Sequence, residues 1–198
     1  YRRAIAIDPI CVEAHVYAGL SHLYRGEFGQ GWEELEWRLR LPSLQQLREV
    51  DRPLWRGEDL SGCTILLQRE PGLSDHIQFL RYAPMVASRG ARVIVETFPE
   101  LQGLVARMAG VDRVVTAGDA VSRAGSGVNW RCPILSLAHR FETRPASVPS
   151  SVPYLAGDPA GAEAWHARLQ RLPAGTKIGC SWSEISAPSG ESGDAPVL

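Results

Sequence analysis

Between Thr64 and Thr116 the chain switches repeatedly between strand-like and helix-like apolar spacing, and that alternation leaves few folds open. Thr64-Ile65-Leu66-Leu67 is a short apolar run that stops at a polar turn, Glu70-Pro71-Gly72. Ile77, Leu80 and Val86 then recur at helical spacing, which predicts a helix over Asp75 to Ser88. Ser74 or Asp75 is expected to cap it, because a short side-chain oxygen accepts a bond from a free first-turn N–H. Pro84 should kink this helix or end its first half, and Gly90 should close it. Arg92 to Thr97, RVIVET, is β-branched and predicts a second strand. Pro99 to Met108 follows as a helix with Pro99 in its first turn, Gly110 ends it, and Asp112 to Thr116 contains a third strand. Strand–helix–strand–helix–strand with short links predicts an α/β fold on a parallel sheet. Ligands of such sheets bind at the carboxyl ends of the strands. The turn at Gly72 therefore places the Asp75 carboxylate at the mouth of a crevice, and Gln78, three residues on, shares its helix face.

Upstream the spacing is helical. Tyr1 to Pro9 reads as the end of a helix, stopped by proline. Val12 to Pro42 is one further helix–turn–helix unit, with the small residues Ala14, Ala18 and Gly19 on its first helix and Gly26 at its turn. Phe28, Gly31, Leu35 and Leu39 lie on the second helix. The distance from Pro9 to Pro42 is close to the roughly 34-residue period of tetratricopeptide repeats, and about three such units are needed to bury a solenoid core. These helices must therefore lean on something else, and Trp32 and Trp37, with Leu35 between them, are candidates for a docking face. Leu44 to Asp59, punctuated by Pro53, Trp55 and Gly57, reads as a charged surface connector.

The formal net charge is −1, so the overall balance favours neither nucleic acid nor an anionic membrane as partner. No apolar run approaches the roughly 18 residues that span a bilayer. No signal-peptide pattern is present, and a cytoplasmic location is the expectation. Cys11, Cys63, Cys132 and Cys180 are dispersed, form no CxxC pair, and are expected to be buried free thiols rather than zinc ligands. No metal and no cofactor is expected. The chain opens at Tyr1 and not at methionine, which suggests a fragment.

Beyond Thr116, Ala117 to Asn129 is a Gly/Ser-rich loop, and Pro145 to Pro159 a proline-rich link. Ala160 to Leu172 predicts a helix with Trp165 and Leu169 on one face. Lys177 to Trp182 has strand character, and Glu184 to Leu198, rich in Ser, Gly and Pro, has the composition of a disordered tail.

Several of these stretches together resemble bacterial tetratricopeptide-repeat proteins fused to a heptosyltransferase-like (family 9, GT-B) glycosyltransferase domain. That family reads E-x-G-L-G-D-x-I-Q-F-L-R-Y-A-P at the first strand–loop–helix. This chain supplies Glu70, Gly72, Leu73, Asp75 and Ile77 to Pro84 in register, with Ser74 where the family has glycine. Gly31-Trp32-Glu33-Glu34-Leu35-Glu36-Trp37-Arg38 matches the family's G-W-x-x-Y/L-E-W-R. Pro53, Trp55, Gly57, Leu60 and Gly62 match P-x-W-x-G-x-x-L-x-G, and Cys132 to Leu137 match h-C-P-L-L-S-L-P, with Ala138 replacing the last proline. Lys177 to Trp182 is similar to the opening strand of the family's second Rossmann-like domain, after which the pattern stops. The resemblance implies partial tetratricopeptide-like repeats over 1–42, a connector over 43–62, and the acceptor-side Rossmann-like half of a GT-B fold over 63–159. It further implies a linking helix and first donor-domain strand over 160–183, and a tail over 184–198.

The same resemblance implies transfer of a sugar from a nucleotide-sugar donor to a sugar or protein acceptor. It casts Asp75 as the base that takes the acceptor proton, with Gly72, Ser74 and Gln78 contributing to substrate binding. Asp75 as a helix cap, and Gly72 as a plain turn glycine, are the competing structural readings. Serine at 74 strains the loop only if that residue has positive φ. His76 beside Asp75 does not form a dyad on a helix, where neighbours diverge. With most of the donor half absent, the segment is expected to be inactive alone. The alternatives are a scaffold whose repeat helices recruit a protein partner, and a gene remnant without function.

Overall fold

A computed structural model describes residues 1–119, 127–173, 175, 176 and 178. Its described residues fall into two compact units, Tyr1–Ala156 and the described residues from Gly157 on. The first unit begins with α1 (Arg2–Ile7), α2 (Val12–Tyr24) and α3 (Phe28–Leu35). Gly26 makes the turn between α2 and α3 with φ +77°, a conformation that only glycine adopts cheaply. The two helices touch backbone to backbone. A Cβ on Gly19 would stand 2.8 Å from the Leu35 amide nitrogen, which is why a small residue is required there. Val16, Leu20 and Leu35 form the small core of this hairpin.

After α3 the chain tightens into a 3₁₀ turn, Glu36–Arg40, and a second 3₁₀ stretch, Pro42–Arg48. The expected surface connector is corrected here. Leu44, Leu47, Val50, Trp55 and Leu60 are all buried, and Trp55 and Leu60 belong to the main core. Charges dominate the composition of this segment, but its apolar minority points consistently inward. Composition therefore misjudged what periodicity over so short a 3₁₀ stretch could not reveal.

The sheet is four-stranded and all parallel, in the order β3-β2-β1-β4. Its strands are β1 (Thr64–Gln68), β2 (Arg92–Thr97), β3 (Arg113–Thr116) and β4 (Trp130–Pro133). The α/β expectation therefore holds, with a Rossmann-like parallel sheet following a helical hairpin. β1 is central: Leu67 faces Val95 on one neighbour and Cys132 on the other. Both of its faces are covered, so Ile65, Leu66 and Leu67 are wholly buried, and this explains an uninterrupted apolar run in place of alternation. Ile65, Leu67, Val93 and Val95 pack with Phe79, Leu80 and Tyr82, whereas Leu66, Ile94, Val115 and Val128 form the opposite layer.

The helix expected over Asp75 to Ser88 is broken. α4 (Leu73–Phe79) gives way to a 3₁₀ turn, Leu80–Tyr82, and then to α5 (Ala83–Ala87) with Pro84 in its first turn. Proline has no N–H to give the carbonyl four residues back, and its ring crowds that carbonyl, so the break falls just before it. The Pro99–Met108 helix is likewise shorter: a 3₁₀ turn at Pro99–Leu101, then α6 (Gln102–Val105). α7 (Ser136–Arg140) follows β4.

The second unit contains α8 (Pro159–Gln170), capped by Asp158, whose carboxylate accepts the Gly161 N–H at 2.8 Å. Trp165 and Leu169 on it are exposed. Most of the Gly/Ser-rich loop, nearly all of Lys177–Trp182 and the whole of 184–198 lie outside the described residues. Among the described cysteines, Cys132 is buried, and burial pushes its thiol well above the usual range. Cys11 and Cys63 are only half-buried, against expectation. Among the described residues no helix is long and apolar enough to cross a membrane.

Candidate active site at the carboxyl edge of the sheet

β1 ends at Gln68, and the chain turns through Glu70-Pro71-Gly72 into α4. Gly72 is the N-cap residue, with φ +102° and ψ +102°. No side chain caps α4, so the expectation that Ser74 or Asp75 would do so is corrected. Both residues lie inside the first turn, past the N-cap position that Gly72 occupies, and neither side chain bonds a free N–H of the turn. Ser74 is exposed and is not among the positive-φ residues, so serine at this position carries no backbone strain.

Freed from capping, the Asp75 carboxylate has no hydrogen-bond partner among the described residues, although the residue is only 7% exposed. Its oxygens are not sealed off, because the one fully buried, unpaired side-chain polar atom among the described residues is His76 Nδ1. Burial raises the proton affinity of Asp75, and the negative charge of Glu70 raises it further. A carboxylate with uncommitted lone pairs and a raised pKa has the properties of a general base. Gly72 is brought against it: a Cβ at position 72 would lie 3.0 Å from Asp75 Oδ2. Gly72→Ala is therefore expected to cost about 1–3 kcal/mol, from backbone strain and displacement of the carboxylate. A urea midpoint unchanged from wild type would contradict this. Gln78 is exposed, one turn along α4. Arg81 packs rather than binds, donating to the Gln78 and Pro149 carbonyls with its guanidinium over Tyr154.

His76 turns the other way. It is fully buried, its Nε2 lies 2.9 Å from Thr97 Oγ1, and its ring meets Phe98 edge-on. Burial, helped by the charge of Arg69, lowers its pKa to about 4. Unfolding restores an ordinary value near 6.5, so the unfolded chain binds the extra proton first. Stability is expected to fall by up to about 3 kcal/mol as the pH drops from about 6.5 to about 4. Urea unfolding of wild type against His76→Gln over that range checks this: the acid-side loss should shrink in the variant.

Sequence reasoning missed the groups that hold this loop. Arg38, 6% exposed, donates from Nε to Glu70 Oε2 at 2.8 Å and from Nη2 to Glu70 Oε1 at 2.9 Å. Glu70 Oε1 also accepts the Leu135 N–H at 3.1 Å. Arg38 Nη2 donates to Ser136 Oγ, which donates in turn to Glu36 Oε1, and Glu36 Oε2 accepts from Arg140 Nη2 at 2.5 Å. Two cations and two anions thus form one network, in which Arg38 and Glu70 are buried and Glu36 and Arg140 partly so. It fills the space between the ends of β1 and β4, where the strand order reverses and where open α/β sheets usually take a phosphate. Here the anion is the protein's own Glu70. The single sequence signal was charge inside apolar motifs, at Glu36, Arg38 and Glu70, and nothing local pairs residues so far apart.

Next to this network, on the same edge of the sheet, a cavity of about 450 Å³ is lined by Gln46, Glu49, Gln68, Arg69, Glu96 and Gly118, among others. Asp75 does not line it. The tryptophan expectation is half met. Trp32 docks on the α/β part, donating to the Thr143 carbonyl at 3.2 Å and meeting Phe79 edge-on. Trp37 and Leu35 stay with the hairpin, Trp37 stacked on His15 at 3.7 Å. His15 in turn contacts Glu34, and His22 contacts Glu27.

No family model matches the chain, and no solved structure matches it significantly. Among curated proteins it is similar to Protein FlbA of Caulobacter vibrioides, with 26% identity over 177 residues. That match covers 81% of this chain and 29% of the relative, so the chain spans less than a third of that protein's length.

Proposed function

We propose that this chain is the acceptor-side part of a heptosyltransferase-like glycosyltransferase, preceded by tetratricopeptide-like helices, with Asp75 as its general base. The observation that carries the reading is an unpaired carboxylate of raised proton affinity at the carboxyl edge of a parallel sheet. In the reaction, Asp75 takes the proton of an acceptor hydroxyl as that oxygen attacks the anomeric carbon. The bond from that carbon to the donor phosphate breaks, and a nucleoside diphosphate leaves. Gly72 borders the carboxylate and Gln78 lies exposed one turn along α4, and the cavity on the same edge of the sheet offers carboxylate, guanidinium and amide groups suited to hydroxyls of an acceptor. Glu70 and Arg38 already fill the usual phosphate position of this sheet, so the donor diphosphate needs a binder elsewhere in a longer protein. The segment alone is accordingly proposed to be inactive.

A scaffold reading rests on a different observation. Ile7 on α1, Ile10 in the turn after it and Tyr24 at the end of α2 are largely exposed, and exposed apolar residues suit a protein partner. Asp75→Asn separates the two. In a longer protein that carries this segment, incubated with radiolabelled nucleoside diphosphate sugars, it should abolish label transfer and leave partner binding intact. Undiminished transfer would overturn the base assignment.

A further inference from the structure

We propose that Arg38, supplied by the N-terminal helical segment, is a positioning residue for Asp75, acting through Glu70. The inference rests on the reading of Asp75 as the base. Glu70 stands two residues before the N-cap Gly72 and five before Asp75, and Pro71 stiffens the link. Glu70 is 2% exposed and gripped on both oxygens by the Arg38 fork. The guanidinium is itself immobilised: Nη1 donates to the Leu35 carbonyl at 3.1 Å and to Glu36 Oε1 at 3.0 Å, while Nη2 also reaches Ser136 Oγ at 2.9 Å.

The turn before Asp75 is thus pinned from outside the sheet, by residues of the 3₁₀ turn that follows α3. A helix beginning at an uncapped glycine has few local restraints of its own, so the Glu70 anchor sets where its first turn begins. The same anchor holds a negative charge close enough to Asp75 to favour its protonated form. Lysine cannot substitute, because a single ammonium cannot grip both carboxylate oxygens in a fixed plane. The hairpin is on this account part of the site's machinery, and whatever displaces the Glu36–Arg40 turn also displaces the candidate base.

The test uses the whole 198-residue chain and needs no reaction. Arg38→Met combined with Glu70→Gln removes both charges at similar volume, and Arg38→Lys keeps the charge but loses the fork. The Asp75 carboxyl is titrated by carbon-detected NMR, and amide hydrogen exchange is followed over Gly72 to His76. In the double variant the Asp75 midpoint should move down, because the Glu70 charge is gone. In both variants those amides should exchange about tenfold faster or more, as expected when a local anchor is lost. An Asp75 midpoint and exchange rates equal to wild type in both variants would overturn the proposal, and Arg38 would then be structural glue. Failure of Asp75→Asn to slow transfer would instead refute the base reading and leave this coupling standing.

Discussion

Asp75→Asn is expected to slow sugar transfer by roughly 100- to 10,000-fold, the usual contribution of a positioned general base. Asparagine has nearly the same shape but cannot take a proton at neutral pH. Stability should change little, because the wild-type carboxylate makes no hydrogen bond that the amide would lose, and a largely desolvated charge is removed. The pH profile gives a second readout. Burial and the Glu70 charge raise the folded pKa of Asp75 above its usual value, so the acid limb of kcat/KM should lie above the range of an ordinary aspartate. Activity should be present above that pKa and lost as the pH falls through it, and this limb should vanish in the variant. A limb that persists in Asp75→Asn would assign the base elsewhere.

Arg38→Ala should destabilise the first unit by about 3–5 kcal/mol, the cost of leaving a buried charge uncompensated. Glu70 would keep only the Leu135 N–H as partner, and Ser136 would lose its donor from the guanidinium. A domain of ordinary stability holds only about 5–15 kcal/mol in reserve, so a large fraction of the variant should unfold at modest urea. Arg38→Met with Glu70→Leu should recover most of the loss, because an apolar pair has no charge to leave stranded. Equilibrium urea unfolding of the two variants measures both. A loss under about 1 kcal/mol for Arg38→Ala would mean that Glu70 finds another partner.

How much could be read in advance varied with the range of the forces involved. The strand cores at Thr64–Leu67 and Arg92–Thr97 were legible because burial on both faces of a parallel sheet demands continuous apolar or β-branched residues. The proline breaks were legible because a missing N–H acts locally. The cap of α4 was misread: Ser74 and Asp75 are both good capping residues, but the choice belongs to the backbone, which turns at Gly72. The connector was misread because burial of Leu44, Leu47 and Trp55 depends on what lies opposite them.

The amino-acid order by itself determined the alternation of elements, the glycine turn, and the place of Asp75 just beyond the first strand. Those follow from local sterics and from the period of apolar side chains. Only the tertiary structure decided that Asp75 is unpaired, that His76 faces Thr97, and that Arg38 on the 3₁₀ turn after α3 seizes Glu70. A charge buried in a low-dielectric interior must find its opposite wherever folding brings one, and that distance is not written in any local stretch of chain.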